Sequence, residues 1–349
     1  MITELGHFAL ILAFAVALIH LVLAVLGARR TGPGARALAM PAASLQFILV
    51  AGSFAALGLG FARSDFSVAV VAANSDRLVA MPDRLAALWS SYAGGLLLWA
   101  LLLSMLAALT AWIGGPRLGP RALAVHSGIA AAVLGFILFA ANPFLRLETP
   151  PFDGAGAALV HAGLALPLVL LSLGSAALAM AFTVAVAALI GGTRDASWMR
   201  WMRFWSAGSF AALSLGIALA MPGAGSGSAM SAFQELSGRA IVGLWVIAAV
   251  LSCLAFMMKN RPAVTGWTIL VAILGFGVAL FGALLLGPAV PGPGPGILSD
   301  ALRGSAGLVI VAAFMVGGVL LFLRHRRDAG LAEMSRADAV ARPAGGPKT

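Results

Sequence analysis

Long runs of apolar residues dominate the chain, separated by short polar or Gly/Pro-rich connections. A helix needs about 20 apolar residues to cross roughly 30 Å of hydrocarbon, and it satisfies its backbone polar groups internally. The pattern predicts spans at residues 5–26, 40–61, 88–113, 122–141, 160–190, 204–221, 240–258, 267–286 and 308–323. The expected fold is therefore an all-α integral membrane protein, a polytopic bundle of about nine transmembrane helices.

The composition agrees with a membrane protein and excludes the soluble classes. Hydrophobic residues make up 61% of the 349 residues and charged residues 10%, and the mean hydropathy is +1.03. A soluble domain of this size needs more charge to cover its surface. The one cysteine, Cys253, has no partner within the chain. We therefore expect no intrachain disulfide framework.

Basic residues alternate between the two sides of the predicted bundle and set its orientation. Of the 22 Lys and Arg residues, 16 fall in alternate connections, beginning with Arg29 and ending with Lys348. Lys and Arg accumulate on the cytoplasmic side of membrane proteins. The pattern thus predicts that the N-terminus lies outside and the C-terminus lies in the cytoplasm. The net charge of +10 is a topology signal, and no nucleic-acid partner is expected.

The charged residues all lie outside the predicted spans or at their ends. A proton pump or an ion-coupled transporter usually keeps a charged residue near the middle of the membrane, so the pattern disfavours transport. Towards its end the chain becomes polar and rich in small residues, which is typical of disorder. The predicted organisation is one transmembrane domain over residues 1–328 and a disordered cytoplasmic tail over residues 329–349.

Five histidines are the candidate ligands for a metal or a haem iron. Two histidines on different helices can hold a haem axially if they lie at one depth. His7 and His161, near the outer ends of the first and fifth predicted spans, meet that condition. An ordinary hydrogen bond at a helix end is the alternative for each. The sequence contains no Walker, HExxH, CxxC or GxSxG motif, so we predict no catalytic residue and no metal site.

Several segments resemble the CcmF family, the haem lyase subunit of bacterial cytochrome c maturation. The matching segments follow the family in order and spacing: Met1–Leu12, Ser64–Val68, Val71–Ser75, Leu96–Leu103, Asn142–Phe144 and Ala187–Gly192. The resemblance covers roughly the first 220 residues, the N-terminal half of the family, and is weak beyond Pro222. The chain is also much shorter than full family members. The resemblance implies a bacterial inner-membrane location, in which the predicted outside N-terminus is periplasmic.

The resemblance implies haem-binding residues that this sequence does not contain. In the family, the histidine of a His-Pro-Pro-Leu-Leu-Tyr tract at the head of span five binds haem, and Pro167 corresponds to it here. His161 lies six residues earlier. Residues 226–233 replace the Trp-rich haem platform and contain no Trp, and residues 240–258 lack the expected histidine. Tyr92-Ala93 replaces a His-Glu pair.

These departures favour a non-catalytic CcmF-like scaffold or accessory subunit without a cofactor. Such a subunit would be surrounded by lipid and would pack against integral membrane proteins of a cytochrome c maturation complex or a respiratory or other energy-transducing complex. One alternative is an active or fragment haem lyase subunit attaching haem to apocytochrome c, with His7 and His161 as weak ligand candidates. A second alternative is a small-molecule or lipid transporter. Outer residues 65–75 and 230–239 either dock a partner or cap the helices.

Overall fold

The apolar runs fold as helices throughout the part of the chain that the structure describes. The computed structural model describes residues 1–27, 33–113, 119–154, 165–191, 195–220, 236–258, 262–285 and 297–341. Within these ranges the helices are α1 (Ile2–Gly27), α2 (Pro33–Ala62), α3 (Ala69–Asn74), α4 (Met81–Ser90), α5 (Tyr92–Ile113), α6 (Gly119–Ala140), α7 (Ala165–Gly191), α8 (Ala196–Ala220), α9 (Leu236–Met257), α10 (Pro262–Leu285) and α11 (Ile297–Ala341).

Nine of these helices, all except the short α3 and α4, are long and apolar enough to cross a membrane. The predicted all-α polytopic fold is thus confirmed for the described residues. No observation bears on which side the termini face, and that orientation stays a prediction. Helix α11 continues past residue 329, the predicted start of the tail, as far as Ala341. The division of the chain at that point also stays a prediction.

The third predicted span differs from the observed helices because the chain bends at Ser91. Helix α4 ends at Ser90, Ser91 has extended backbone angles, and α5 begins at Tyr92. The Ser91 hydroxyl donates to the Leu88 carbonyl oxygen at 2.7 Å and accepts the Gly94 N–H at 3.3 Å. It therefore satisfies a free donor in the first turn of α5, as a helix-capping serine does. A side chain on Gly94 would collide with the Leu88 carbonyl group.

Helix α7 is the centre of the bundle. In the most apolar stretch of α7, 83% of the residues are buried. In the most apolar stretch of α11, at the edge of the bundle, 11% are buried. The helix contacts α5, α6, α8, α10 and α11. Phe182 of α7 stacks on Phe276 of α10 with ring centroids 4.4 Å apart, and Phe314 of α11 meets both rings edge-on. These three rings join the centre of the bundle to the last two helices.

The contact between α7 and α8 depends on small residues. A Cβ atom on Gly174 would lie 2.6 Å from Leu213 Cγ, and one on Gly216 would lie 3.0 Å from Leu171. Ser209 of α8 donates its hydroxyl to the Gly174 carbonyl oxygen at 2.7 Å. Glycine lets two membrane helices approach until their backbones nearly touch, which strengthens dispersion contacts and exposes carbonyl oxygens as acceptors.

Candidate functional site

Two connecting segments pair at the end of the bundle where α1 begins and α2 and α6 end. This end is the outer one in the predicted orientation. The segments are residues 63–68, which follow α2, and residues 141–147, which follow α6. The Ala69 N–H donates to the Leu145 carbonyl oxygen at 2.8 Å, and the Leu147 N–H donates to the Ser67 carbonyl oxygen at 2.9 Å. This antiparallel bridge, hereafter the outer bridge, satisfies backbone groups that have no helical partner.

The guanidinium group of Arg146 ties the outer bridge to the first turn of α1. Its Nη2 atom donates to Thr3 Oγ1 and to Glu4 Oε1, each at 3.0 Å. Its Nη1 atom donates to Ser67 Oγ at 2.9 Å, and the Ser67 hydroxyl in turn donates to the Asp65 carboxylate. Arginine suits this position because its planar fork directs several donors at separate acceptors at once.

Replacing Arg146 by Met should loosen this end of the bundle. The side chain is 43% exposed, so screening by water limits the effect, and we expect a loss of about 1 kcal/mol in the free energy of unfolding. Unfolding in detergent would measure this loss, and the rate of proteolytic cleavage within residues 63–68 would measure the loosening of the segment. Arg200→Met, at an exposed position on α8, is the control. Equal effects of the two substitutions would contradict the role given to Arg146.

His7 is held beside the outer bridge by Asn142. The Asn142 Oδ1 atom accepts the Phe144 N–H at 2.9 Å, which turns the amide nitrogen of Asn142 towards His7 Nε2 at 3.3 Å. Because the amide nitrogen can only donate, His7 Nε2 is the acceptor of this bond. The Phe144 ring lies against the imidazole with centroids 5.9 Å apart. The lone pair that would bind a metal or haem iron is therefore already engaged in a hydrogen bond.

Arg84 of α4 fixes the turn that leads into the outer bridge. Its Nη1 atom donates to Ser64 Oγ at 2.6 Å and lies 3.4 Å from the Ala62 carbonyl oxygen at the end of α2. Ser64 has a left-handed backbone conformation with φ of 51°, which is uncommon for a residue with a Cβ atom. Segment 65–75, predicted either to dock a partner or to cap the helices, follows this turn and contains α3.

Tyr92 and Pro167 occupy positions where the resemblance implies haem-binding residues. The Tyr92 hydroxyl donates to the Leu284 carbonyl oxygen near the end of α10 at 2.6 Å, and the Arg303 guanidinium group lies 5.3 Å from the Tyr92 ring centre. Pro167 is buried in the first turn of α7. A proline fits there because the first N–H groups of a helix have no partner within the helix. Pro167 has no side-chain donor atom for haem iron, and the Tyr92 oxygen, an atom type that can bind haem iron, is engaged in the bond to Leu284.

Other candidate positions contribute less to a site. His161, residues 226–233 and the first part of segment 230–239 lie outside the described residues. Residues 240–258, which contain no histidine, fold mainly within α9. Among the described residues, no group of three or more His, Cys, Asp or Glu side chains is arranged to hold a metal ion.

Comparison with known proteins gives related chains over nearly the whole sequence. The cytochrome c-type biogenesis protein Ccl1 of Rhodobacter capsulatus is 41% identical over 337 residues, covering 92% of this chain and 50% of the relative. CycK of Rhizobium meliloti is 37% identical and covers 97% of this chain and 52% of the relative. CcmF of Escherichia coli is 32% identical over 92% of this chain and 51% of the relative. This chain is related to the CcmF family.

A solved structure agrees with the CcmF relationship. The protein described as cytochrome c heme lyase CcmF superposes with a TM-score of 0.73 at 26% identity, covering 93% of this chain and 51% of the solved one. No protein family model matches the chain. The CcmF-like chain spans about half the length of the curated relatives it matches. With its apolar helices, the relationship identifies a multi-pass protein of the bacterial inner membrane.

The comparisons correct the extent of the CcmF resemblance. The sequence motifs indicated a resemblance that weakens beyond Pro222, but the aligned regions cover 92–97% of the chain in the relatives from R. capsulatus and R. meliloti. The limit near residue 220 is therefore wrong. The later helices carry few polar residues from which a recognisable motif could be built.

Sequence reasoning concentrated on histidines and missed the polar contacts around Arg146. No spacing rule links Arg146 to Thr3 and Ser67, which are 143 and 79 residues away. The Asn142-Pro-Phe144 motif was the available signal, because it marked the segment that pairs with residues 63–68.

Proposed function

We propose that this CcmF-like chain is a non-catalytic scaffold or accessory subunit of a cytochrome c maturation complex. In this proposal the chain packs against other membrane proteins and does not itself attach haem. Its curated relatives are named as cytochrome c-type biogenesis proteins, which favours that assembly over a respiratory complex. The framework shared with those relatives supplies the packing surface.

The observation that carries the proposal is the hydrogen bond made by the Tyr92 hydroxyl group. The resemblance places a His-Glu pair at Tyr92-Ala93, where this chain has a phenol whose hydroxyl group is bonded to the Leu284 carbonyl oxygen. The Tyr92 hydroxyl group therefore joins α5 to α10 at the position where the resemblance implies a histidine. Pro167, buried at the head of α7, is a second replacement of the same kind, since it has no free nitrogen to bind iron.

The two histidine candidates give the lyase reading little support. His7 Nε2 accepts the hydrogen bond from Asn142, so binding iron through that atom would require the Asn142–Phe144 turn to reorganise. Haem held by histidine needs an unprotonated ring nitrogen directed at the iron. His161 would have to supply the second ligand from a position six residues before Pro167.

The outer helices provide surface for other membrane proteins or lipid. Helices α1 and α9 have 22% of their most apolar stretch buried, and α11 has 11%. Large apolar side chains on α11 point away from the bundle: Leu308, Val309, Val316, Leu320 and Leu323. In a membrane these faces are covered by lipid or by helices of other chains, and van der Waals packing decides between them.

An absorption spectrum of the purified protein tests the proposal. We expect no stoichiometric Soret band after expression in cells that make haem, because the positions implied as ligands hold Tyr92 and Pro167. A stoichiometric band abolished by His7→Ala or His161→Ala would contradict the proposal. Co-purification after mild detergent extraction should then recover cytochrome c maturation proteins, whereas respiratory subunits alone would assign the scaffold to a different assembly.

A haem lyase completed by another chain is the second candidate. It is favoured by the 41% identity to Ccl1, which is named as a cytochrome c-type biogenesis protein. Deleting the gene separates the two readings. Loss of holocytochrome c that is restored by the wild-type chain and not by a His7→Ala, His161→Ala variant supports the lyase, because a scaffold would tolerate those substitutions.

A further inference from the structure

A buried histidine inside the bundle has no use in the proposed function. His126 of α6 is 3% exposed, and neither of its ring nitrogens has a hydrogen-bond partner among the described residues. Buried polar side chains nearly always bond to protein or to an ordered water molecule, because an unpaired polar group is unfavourable in an apolar interior. A small molecule in contact with the ring would supply the missing hydrogen-bond partner.

A small cavity lies against His126, between α2, α5 and α6. Its lining contains two polar side chains, His126 and Gln46, and Gln46 is itself 3% exposed. The other lining residues are apolar: Ala100, Leu103, Ala130, Val133 and Leu134. An entirely apolar cavity of this kind stays dry, whereas facing polar groups make a water molecule favourable. The cavity thus has polar chemistry on the α2 side and on the α6 side.

The size of the cavity selects the ligand. It offers about 10 Å³ to the centre of a water molecule, which is room for about one. Pockets for drug-sized ligands and cofactors measure roughly 300–1,000 Å³, so haem does not fit. A bare metal cation would have two neutral side chains as its ligands, too few to replace its hydration shell at this depth.

We propose that Gln46 and His126 bind one water molecule that links α2 to α6 within the membrane. The Gln46 amide both donates and accepts, and a neutral imidazole does the same through its two nitrogens. A water molecule can therefore bond to both whichever ring nitrogen carries the proton. This site is independent of whether the chain attaches haem.

Nuclear magnetic resonance of the full chain in lipid nanodiscs tests the site directly. With ¹⁵N-labelled histidine the five histidines give a small set of signals, and His126→Leu identifies the one from His126. We expect magnetisation to pass from water protons to the His126 ring, and the transfer to fall by at least about half in Gln46→Leu. Ser53→Ala is the matched control, since Ser53 Oγ on α2 is also buried without a partner.

Two results would overturn the proposal. One is the absence of water-to-ring transfer in the wild-type chain. Magnetisation that reaches the ring from the Gln46 amide protons, and not from water, counts as this result. The other is transfer that persists unchanged in Gln46→Leu. Thermal unfolding gives an independent check: each of Gln46→Leu and His126→Leu should lower Tm by roughly 2–4 °C, and the double variant should lower it by less than their sum. Additive shifts would count against a shared water molecule.

Discussion

Replacing Gly174 by Leu is expected to prevent α7 and α8 from packing, and little folded protein should be recovered. The Cβ atom alone would lie 2.6 Å from Leu213 Cγ, and the leucine side chain would force the two backbones apart. That movement also breaks the hydrogen bond from Ser209 to the Gly174 carbonyl oxygen. Overpacking in a tight core costs about 1–3 kcal/mol or more, and the central position of α7 places this change at the upper end.

The yield of monodisperse protein after detergent extraction measures this effect. Gly208→Leu is the matched control, because a Cβ atom on Gly208 of α8 meets nothing within 4 Å. The same substitution there adds an apolar side chain to a lipid-facing surface and should leave the yield unchanged. A Gly174→Leu protein that folds as well as the Gly208→Leu protein would show that α7 and α8 do not approach as closely as described.

Phe182→Ala should lower the free energy of unfolding by about 3 kcal/mol or more, the magnitude found when a large aromatic side chain is removed from a protein core. Phe182 is 3% exposed and contacts both Phe276 and Phe314. Truncation leaves a cavity at the point where α7, α10 and α11 meet. Because the neighbouring rings collapse only partly into that space, we expect a loss of dispersion contacts on all three helices.

The Phe182→Ala effect is measured by unfolding the protein in increasing concentrations of a denaturing detergent and monitoring tryptophan fluorescence. Phe281→Ala on α10 is the control, since Phe281 is 40% exposed and is not among the three rings in contact. We expect that variant to unfold close to the wild-type midpoint. Comparable losses in the two variants would mean that ring burial at the centre of the bundle does not set its stability.

The helices were predictable because membrane spans are defined by one property, the length of an apolar run. Their ends were less so. The break at Ser91 lies inside an apolar stretch, and it depends on a hydroxyl capping bond and on the space that Gly94 leaves for a carbonyl group. Helix α8 begins at Ala196, although the apolar pattern predicted a start near residue 204. The prediction missed the first turns because they carry arginines beside tryptophans such as Trp198. Hydropathy excludes such a segment, although it is helical.

The candidate site was predictable only in its separate parts. His7 was recognised from its residue type and depth, but its bond to Asn142 joins residues 135 positions apart in sequence. The same holds for the cavity beside His126, whose polar lining combines one residue of α2 with one of α6. Periodicity within a helix indicates which face is buried, yet it contains no information about which face of another helix lies opposite.

The outer bridge has a consequence for how the chain is made. Ser67 and Arg146 are 79 residues apart, and α3, α4, α5 and α6 lie between the two segments. During synthesis the segment after α2 leaves the insertion machinery long before its partner exists, so its backbone groups stay hydrated until α6 is in place. Loop closure of this length is entropically costly before the contacts form. We therefore expect α1 to α6 to assemble as one cooperative step, completed only when the residues that follow α6 have reached the side of the membrane where α1 begins.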